Sequence, residues 1–225
     1  MNSLLNSSSV SQYLLDHAHF FEEHAELLSK IKLTSPLAGR TVSLQERQME
    51  VLREKIKALE LRMADFMRIA QDNDAITQKF QTLTRAMLLA RNDGDLPQTL
   101  ISGLQTIFSV PHATLRLWGV SDAFAHAWFS EKTSDDARIF SNGLTKPFCG
   151  PNNDFEAISW LEDAPSVKSV AMLALRTEQS PNAFGLLILG SPDPQRFTAD
   201  MATDFLEKIG DTASAALSCI LSLAQ

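Results

Sequence analysis

The sequence predicts an α+β chain, a long N-terminal helix of coiled-coil type followed by an antiparallel sheet flanked by helices, and three features predict it. Residues 40–93 contain neither proline nor glycine, so one helix of more than about ten turns can run through them. Beyond Pro111 the apolar period changes from helical to alternating, which marks strands. Near the end, Met201, Phe205, Ile209, Ala216 and Ile220 return to one helical face. These features divide the chain into short N-terminal helices (1–40), a coiled-coil-like dimerisation helix (41–93) and a sheet-containing domain (94–225).

In the first segment, Ser9 and Gln12 have capping-box spacing, and Tyr13, Leu14, Phe20, Phe21, Leu27, Leu28 and Ile31 recur in apolar pairs. One or two short helices are expected from about Val10 to Leu33. The stretch from Thr34 to Gly39 contains Pro36 and ends them. Ser43 with Glu46 starts the long helix. Its apolar residues Leu52, Ile56, Leu59, Met63 and Phe66 step in fours and threes, and Ile69, Asn73, Ile76, Phe80, Leu83 and Met87 continue one residue out of phase. So narrow a seam on so long a helix is buried against another helix. Dimerisation supplies that helix from a second chain, while a hairpin with the segment before Pro36 would supply it from the same one.

Asp93-Gly94-Asp95 ends this helix and starts the next, with Pro97 in its first turn. Ala113–Trp118 alternates as a strand, Ala125–Ser130 reads as a second, and Ile139 opens a loop running to Cys149-Gly150-Pro151. A short helix capped by Asn153 and Glu156 extends to Trp160. Ser166–Arg176 and Phe184–Gly190 read as two strands joined across Ser180-Pro181-Asn182. The last helix is expected to take Thr198 as its N-cap.

Composition limits the function. Hydrophobic residues make up 44% and charged residues 21% of the 225 residues, which suits a folded chain. The net charge of -7 lies entirely in the second half, because residues 1–94 carry 12 basic and 12 acidic side chains and residues 95–225 carry 8 and 15. Such a surface repels phosphate backbones, so no nucleic acid is expected as a partner. Cys149 and Cys219 are seventy positions apart, which is neither a disulfide framework nor a metal-ligand spacing. No apolar run approaches the roughly 18 residues of a membrane span, and Met1–Val10 lacks the features of a signal peptide. These observations predict a cytoplasmic protein that does not enter the membrane.

The order of elements resembles the GAF and PAS group of sensor domains, and Gly185–Gly190 followed by Arg196-Phe197-Thr198 looks like the ending of a GAF domain. A resemblance over the whole chain is closer. Tyr13-Leu14, Phe20-Phe21, His24, Leu27-Leu28, Val42-Ser43-Leu44, Glu46-Arg47-Gln48, Phe148-Cys149-Gly150-Pro151 and Leu189-Gly190-Ser191 are similar to the bacterial DUF484 family. That resemblance implies a GAF-like fold behind a helical N-terminus. In such a fold one sheet face meets helices and loops roof the other, enclosing a ligand pocket.

No phosphate-cradling glycine loop, nucleophile elbow or paired-cysteine metal site occurs, so no enzyme, catalytic residue or metal site is expected. His19 and Glu23 share a helical face, but surface or boundary side chains account for that spacing better than a metal does. Arg116 and Trp118 share one strand face, with Leu115 and Leu117 on the other. Arg116, Trp118, Phe148 and Cys149 are therefore the expected pocket residues, suited to an anionic or planar molecule. Against this, Arg116 paired with a surface carboxylate and Trp118 filling core would leave no site. Cys149 reads as an accessible loop thiol that Lys146 could activate, or else as a small buried hydrophobe, and Cys219 as core. Two functional readings follow: a dimeric sensory module that signals to a separate protein partner, since no output module precedes Gln225, and a degenerate structural adaptor that binds no ligand.

Overall fold

The computed structural model describes residues 6–34, 41–201 and 203–222. The chain separates into two compact units, Met1–Gln71 and Asp72–Gln225. In the first unit, α1 (Ser7–Asp16), α2 (Phe20–Glu23) and α3 (Ala25–Lys30) precede a two-stranded antiparallel ribbon of β1 (Lys32–Thr34) and β2 (Thr41–Ser43). There are thus three short helices and a ribbon where one or two helices were expected. The breaker Ser35–Gly39 lies outside the described residues. α4 (Leu44–Leu88) begins directly after Ser43, as the capping pattern requires, and is 45 residues long.

Along α4 the burial of the seam changes. Leu52, Ile56, Leu59, Met63 and Phe66 are all exposed, with Leu59 at 62% and Phe66 at 73%. Phe80, Leu83 and Met87, read from sequence as more of the same seam, instead pack into the core of the second unit. Periodicity alone does not separate the two, because a stripe packed on a domain core and a stripe left exposed on a helix repeat at the same interval.

The second unit holds α5 (Leu96–Thr106), β3 (His112–Leu117), α6 (Asp135–Gly143), β4 (Phe148–Pro151), β5 (Ser169–Arg176), β6 (Ala183–Ser191) and α7 (Asp204–Leu217). Its sheet is antiparallel with strand order β3-β6-β5-β4. β6 is central and every residue of it is buried, so its sequence is a continuous apolar run. Alternation then assigns the two faces. Leu115, Leu117, Leu173, Leu187 and Leu189 pack on α5, α7 and the end of α4. Val170, Met172, Leu186 and Ile188 meet a roof built from α6 and the 3-10 turn Glu156–Trp160. A helical layer on one face and an irregular roof on the other is the arrangement the sequence led us to expect.

Within the second unit, Cys149-Gly150-Pro151 lies on strand β4 rather than in a loop, and three further elements differ from expectation. Ala125–Ser130 is not a strand but part of a pair of 3-10 turns at Asp122–Phe124 and Trp128–Ser130. Ser130 Oγ lies 2.7 Å from the Phe124 carbonyl and 2.8 Å from that of Ala127, so this segment satisfies its polar groups locally. The stretch from Asp135 to Gly143, read partly as loop, is α6. Ser134 accepts a hydrogen bond from the Ala137 amide at 3.1 Å, and Asp135 and Asp136 lie in the first turn. α7 begins at Asp204 rather than beside Thr198. The Thr198 hydroxyl instead donates to Asp200, which lowers that carboxyl's pKa.

The closing strand needs glycine at position 185 for a steric reason. A Cβ there would lie 2.5 Å from Leu117 Cδ2 and 2.9 Å from the Arg116 backbone oxygen. The backbone atom cannot rotate away. Gly185→Ala is therefore expected to destabilise the fold by about 1–3 kcal/mol, read as a lower midpoint in urea unfolding.

Candidate functional site

β3 ends at one corner of the sheet and delivers Arg116 and Trp118 to the roofed face, with Leu115 and Leu117 buried on the opposite one. The two side chains then part. Trp118 is half-buried in the roof cluster, donates from Nε1 to the Ala183 carbonyl at 2.6 Å, and lies 5.8 Å from the Arg138 guanidinium carbon. Phe148 is in the same cluster, edge-on to Phe155 with centroids 5.2 Å apart and to Phe140 at 6.5 Å. The space beside Trp118 is accordingly filled with side chains.

Cys149 is placed elsewhere. It lies on strand β4 rather than in a loop, 8% exposed, and belongs to the helix-facing core while its neighbour Phe148 faces the roof. Adjacent strand residues point to opposite faces, so Phe148 and Cys149 cannot line one pocket. Burial pushes the Cys149 thiol up to about 11, the reverse of activation by Lys146. Cys219 corrects a second expectation, because it is exposed rather than core.

Arg116 faces a groove of about 450 Å³ beside β3. The groove is lined by Gln98 and Gln105 of α5, by His112, and by Trp128 and Trp160. Within it the Arg116 guanidinium donates to the Trp128 carbonyl and to Glu131 Oε2, the latter at 2.6 Å, and its carbon lies 5.8 Å from the centre of the Trp160 ring. The pair is asymmetric: the Arg116 side chain is only 12% exposed and that of Glu131 is 63% exposed. A guanidinium, two indoles and two amides around one space can hold a planar molecule carrying a negative group. Of the four residues expected from sequence, only Arg116 lines this groove. Trp128 and Trp160 were missed because neither has a spacing that betrays it; one follows a turn and the other ends the short roof helix.

Among the described residues, no group of three or more His, Cys, Asp and Glu is placed to hold a metal ion. His19 contacts Glu22 at 3.1 Å, a surface pair within the first unit. No described helix is long and apolar enough to cross a membrane.

Comparison with known proteins adds the following. The uncharacterized protein YigA of Escherichia coli is 27% identical over 211 residues, which covers 91% of this chain and 88% of that protein. The Salmonella typhimurium YigA is 26% identical over the same shares. Among solved structures the chain is similar to a GAF domain from Pseudomonas syringae pv. tomato, at 15% identity and a TM-score of 0.45, over 68% of this chain and 91% of that one. The family model described as "Protein of unknown function, DUF484" matches residues 2–218, which bears out the resemblance carried by the residue patterns above. The chain belongs to the DUF484 family.

Proposed function

We propose that this protein is a non-enzymatic, cytoplasmic sensory module that binds a small molecule in its sheet domain, dimerises through α4 and signals to a separate protein partner. The observation that carries the sensory reading is the groove beside β3, where the largely buried Arg116 guanidinium stands with Trp128 and Trp160 in about 450 Å³. That volume lies within the range of about 300–1,000 Å³ usual for small-molecule sites. The acidic surplus of the second half argues against nucleic acid as the partner, and the free thiols fit a reducing compartment.

A thermal-shift screen of planar carboxylates, nucleotides and neutral heterocycles tests the reading. A compound at a hundredfold excess over its dissociation constant should stabilise the fold by about 2.7 kcal/mol. Arg116→Ala should abolish the shift, and Arg116→Lys should restore only part of it, since an ammonium lacks the planar fork. The second reading, an adaptor that binds no ligand, is favoured by the packed space beside Trp118 and by the pairing of Arg116 with the exposed Glu131 carboxylate, the arrangement expected where there is no site. It takes over if no compound shifts the wild type.

A further inference from the structure

We infer that Glu131 is an internal stand-in for the ligand, its carboxylate occupying the place on Arg116 that the carboxylate of a planar aromatic monoacid takes when it binds. The inference rests on the sensory reading above and deepens it. One side of the Arg116 guanidinium donates to a backbone acceptor, the Trp128 carbonyl, and the other to a carboxylate at 2.6 Å. The first partner is backbone. The second is an exposed side chain just beyond the 3-10 turn Trp128–Ser130, with no other hydrogen bond or ion pair shown to hold it.

Exchange of one carboxylate for another leaves the guanidinium paired throughout, so the cost of stripping a buried cation of its partner is avoided. Ring chemistry follows from the walls. The Trp160 ring already faces the guanidinium, Trp128 borders the same space, and Gln98 and Gln105 present amides to polar ring atoms. Charge sets the valence. Glu162 also lines the groove, so a dianionic phosphate meets a repelling carboxylate that a monocarboxylate tolerates better. Displacing Glu131 removes one of the two links between Arg116 and the Trp128–Glu131 segment, which makes that segment the part of the site that responds.

Nicotinate, with its neutral isostere nicotinamide, is the probe. Glu131→Gln leaves the side chain's size and removes the competing charge. It is expected to bind nicotinate about 3- to 10-fold more tightly than the wild type, as measured by calorimetry, with nicotinamide binding unchanged. In protein labelled with 5-fluorotryptophan, the Trp128 resonance, assigned through Trp128→Phe, should move when nicotinate binds the wild type. It should move the same way in ligand-free Glu131→Gln. If the wild type binds nicotinate through Arg116 but Glu131→Gln neither tightens binding nor shifts Trp128, the stand-in role is wrong and the sensory reading survives. If neither protein binds nicotinate, the aromatic-monoacid assignment is overturned, and the wider screen decides the sensory reading separately.

Discussion

Joint replacement of Leu59 and Met63 by aspartate should convert a dimer into a monomer at tens of micromolar, as seen by sedimentation or light scattering. Both side chains lie on the stripe Leu52, Ile56, Leu59, Met63, Phe66, and each of these is at least about half exposed, so the described N-terminal helices do not cover it. Leaving such a stripe in water forfeits the burial that stabilises an amphipathic helix of this length. A second α4 is the covering that the heptad spacing fits. Losing two buried side chains at about 2–5 kcal/mol each weakens association by more than roughly a thousandfold. Leu61 is a stringent control, because it is as exposed as Leu59 yet lies about 200° around the helix from it. Leu61→Asp should leave the dimer intact. A monomeric wild type, or a double variant that still dimerises, would remove the association half of the proposal.

What could be read from sequence follows how local the controlling physics is. α4, α5, β3, β5 and β6 were legible because periodicity and terminal residues lie within each element. α6 was not. Its last carbonyls are satisfied from far away: the Arg176 guanidinium donates to the Ser141 and Asn142 carbonyls at 2.8 and 3.0 Å, and Asn142 Oδ1 accepts from the Ala183 amide at 2.8 Å. Without β5 and β6 in place, Ser141-Asn142-Gly143 carries only turn signals. The same limit applied to the site. Strand alternation placed Arg116 and Trp118 on one face, but only packing decides that Trp118 joins the roof while Arg116 turns to the groove with Trp128 and Trp160. The glycine and proline around Cys149 suggested a loop, whereas Cys149 pairs with Ala171 across β4 and β5.

That placement of Cys149 sets the last prediction, in which the two thiols separate in rate in the order opposite to the one its sequence context suggests. A thiolate is the reacting species, and with the Cys149 thiol pushed up to about 11 by burial, only about one molecule in ten thousand is ionised at neutral pH. Access lowers the rate further, because the Cys149 side chain is buried in the helix-facing core. Burial, and Asp93 after it, also raises the Cys219 thiol, but that side chain is exposed. An electrophilic probe at pH 7 should therefore modify Cys219 first and Cys149 more than about a hundredfold more slowly, with both labelling together only in denaturant. The same shift has a sign for stability. A thiol whose folded pKa lies above its unfolded one contributes stability fully below the ordinary thiol range, and that contribution is lost as pH rises towards about 11. Cys149→Ala should thus flatten the alkaline fall in unfolding free energy. Rapid labelling of Cys149 in the folded protein, or an alkaline slope indifferent to Cys149→Ala, would place this thiol in water and revive the reading of it as an accessible, Lys146-activated thiol that its burial argues against.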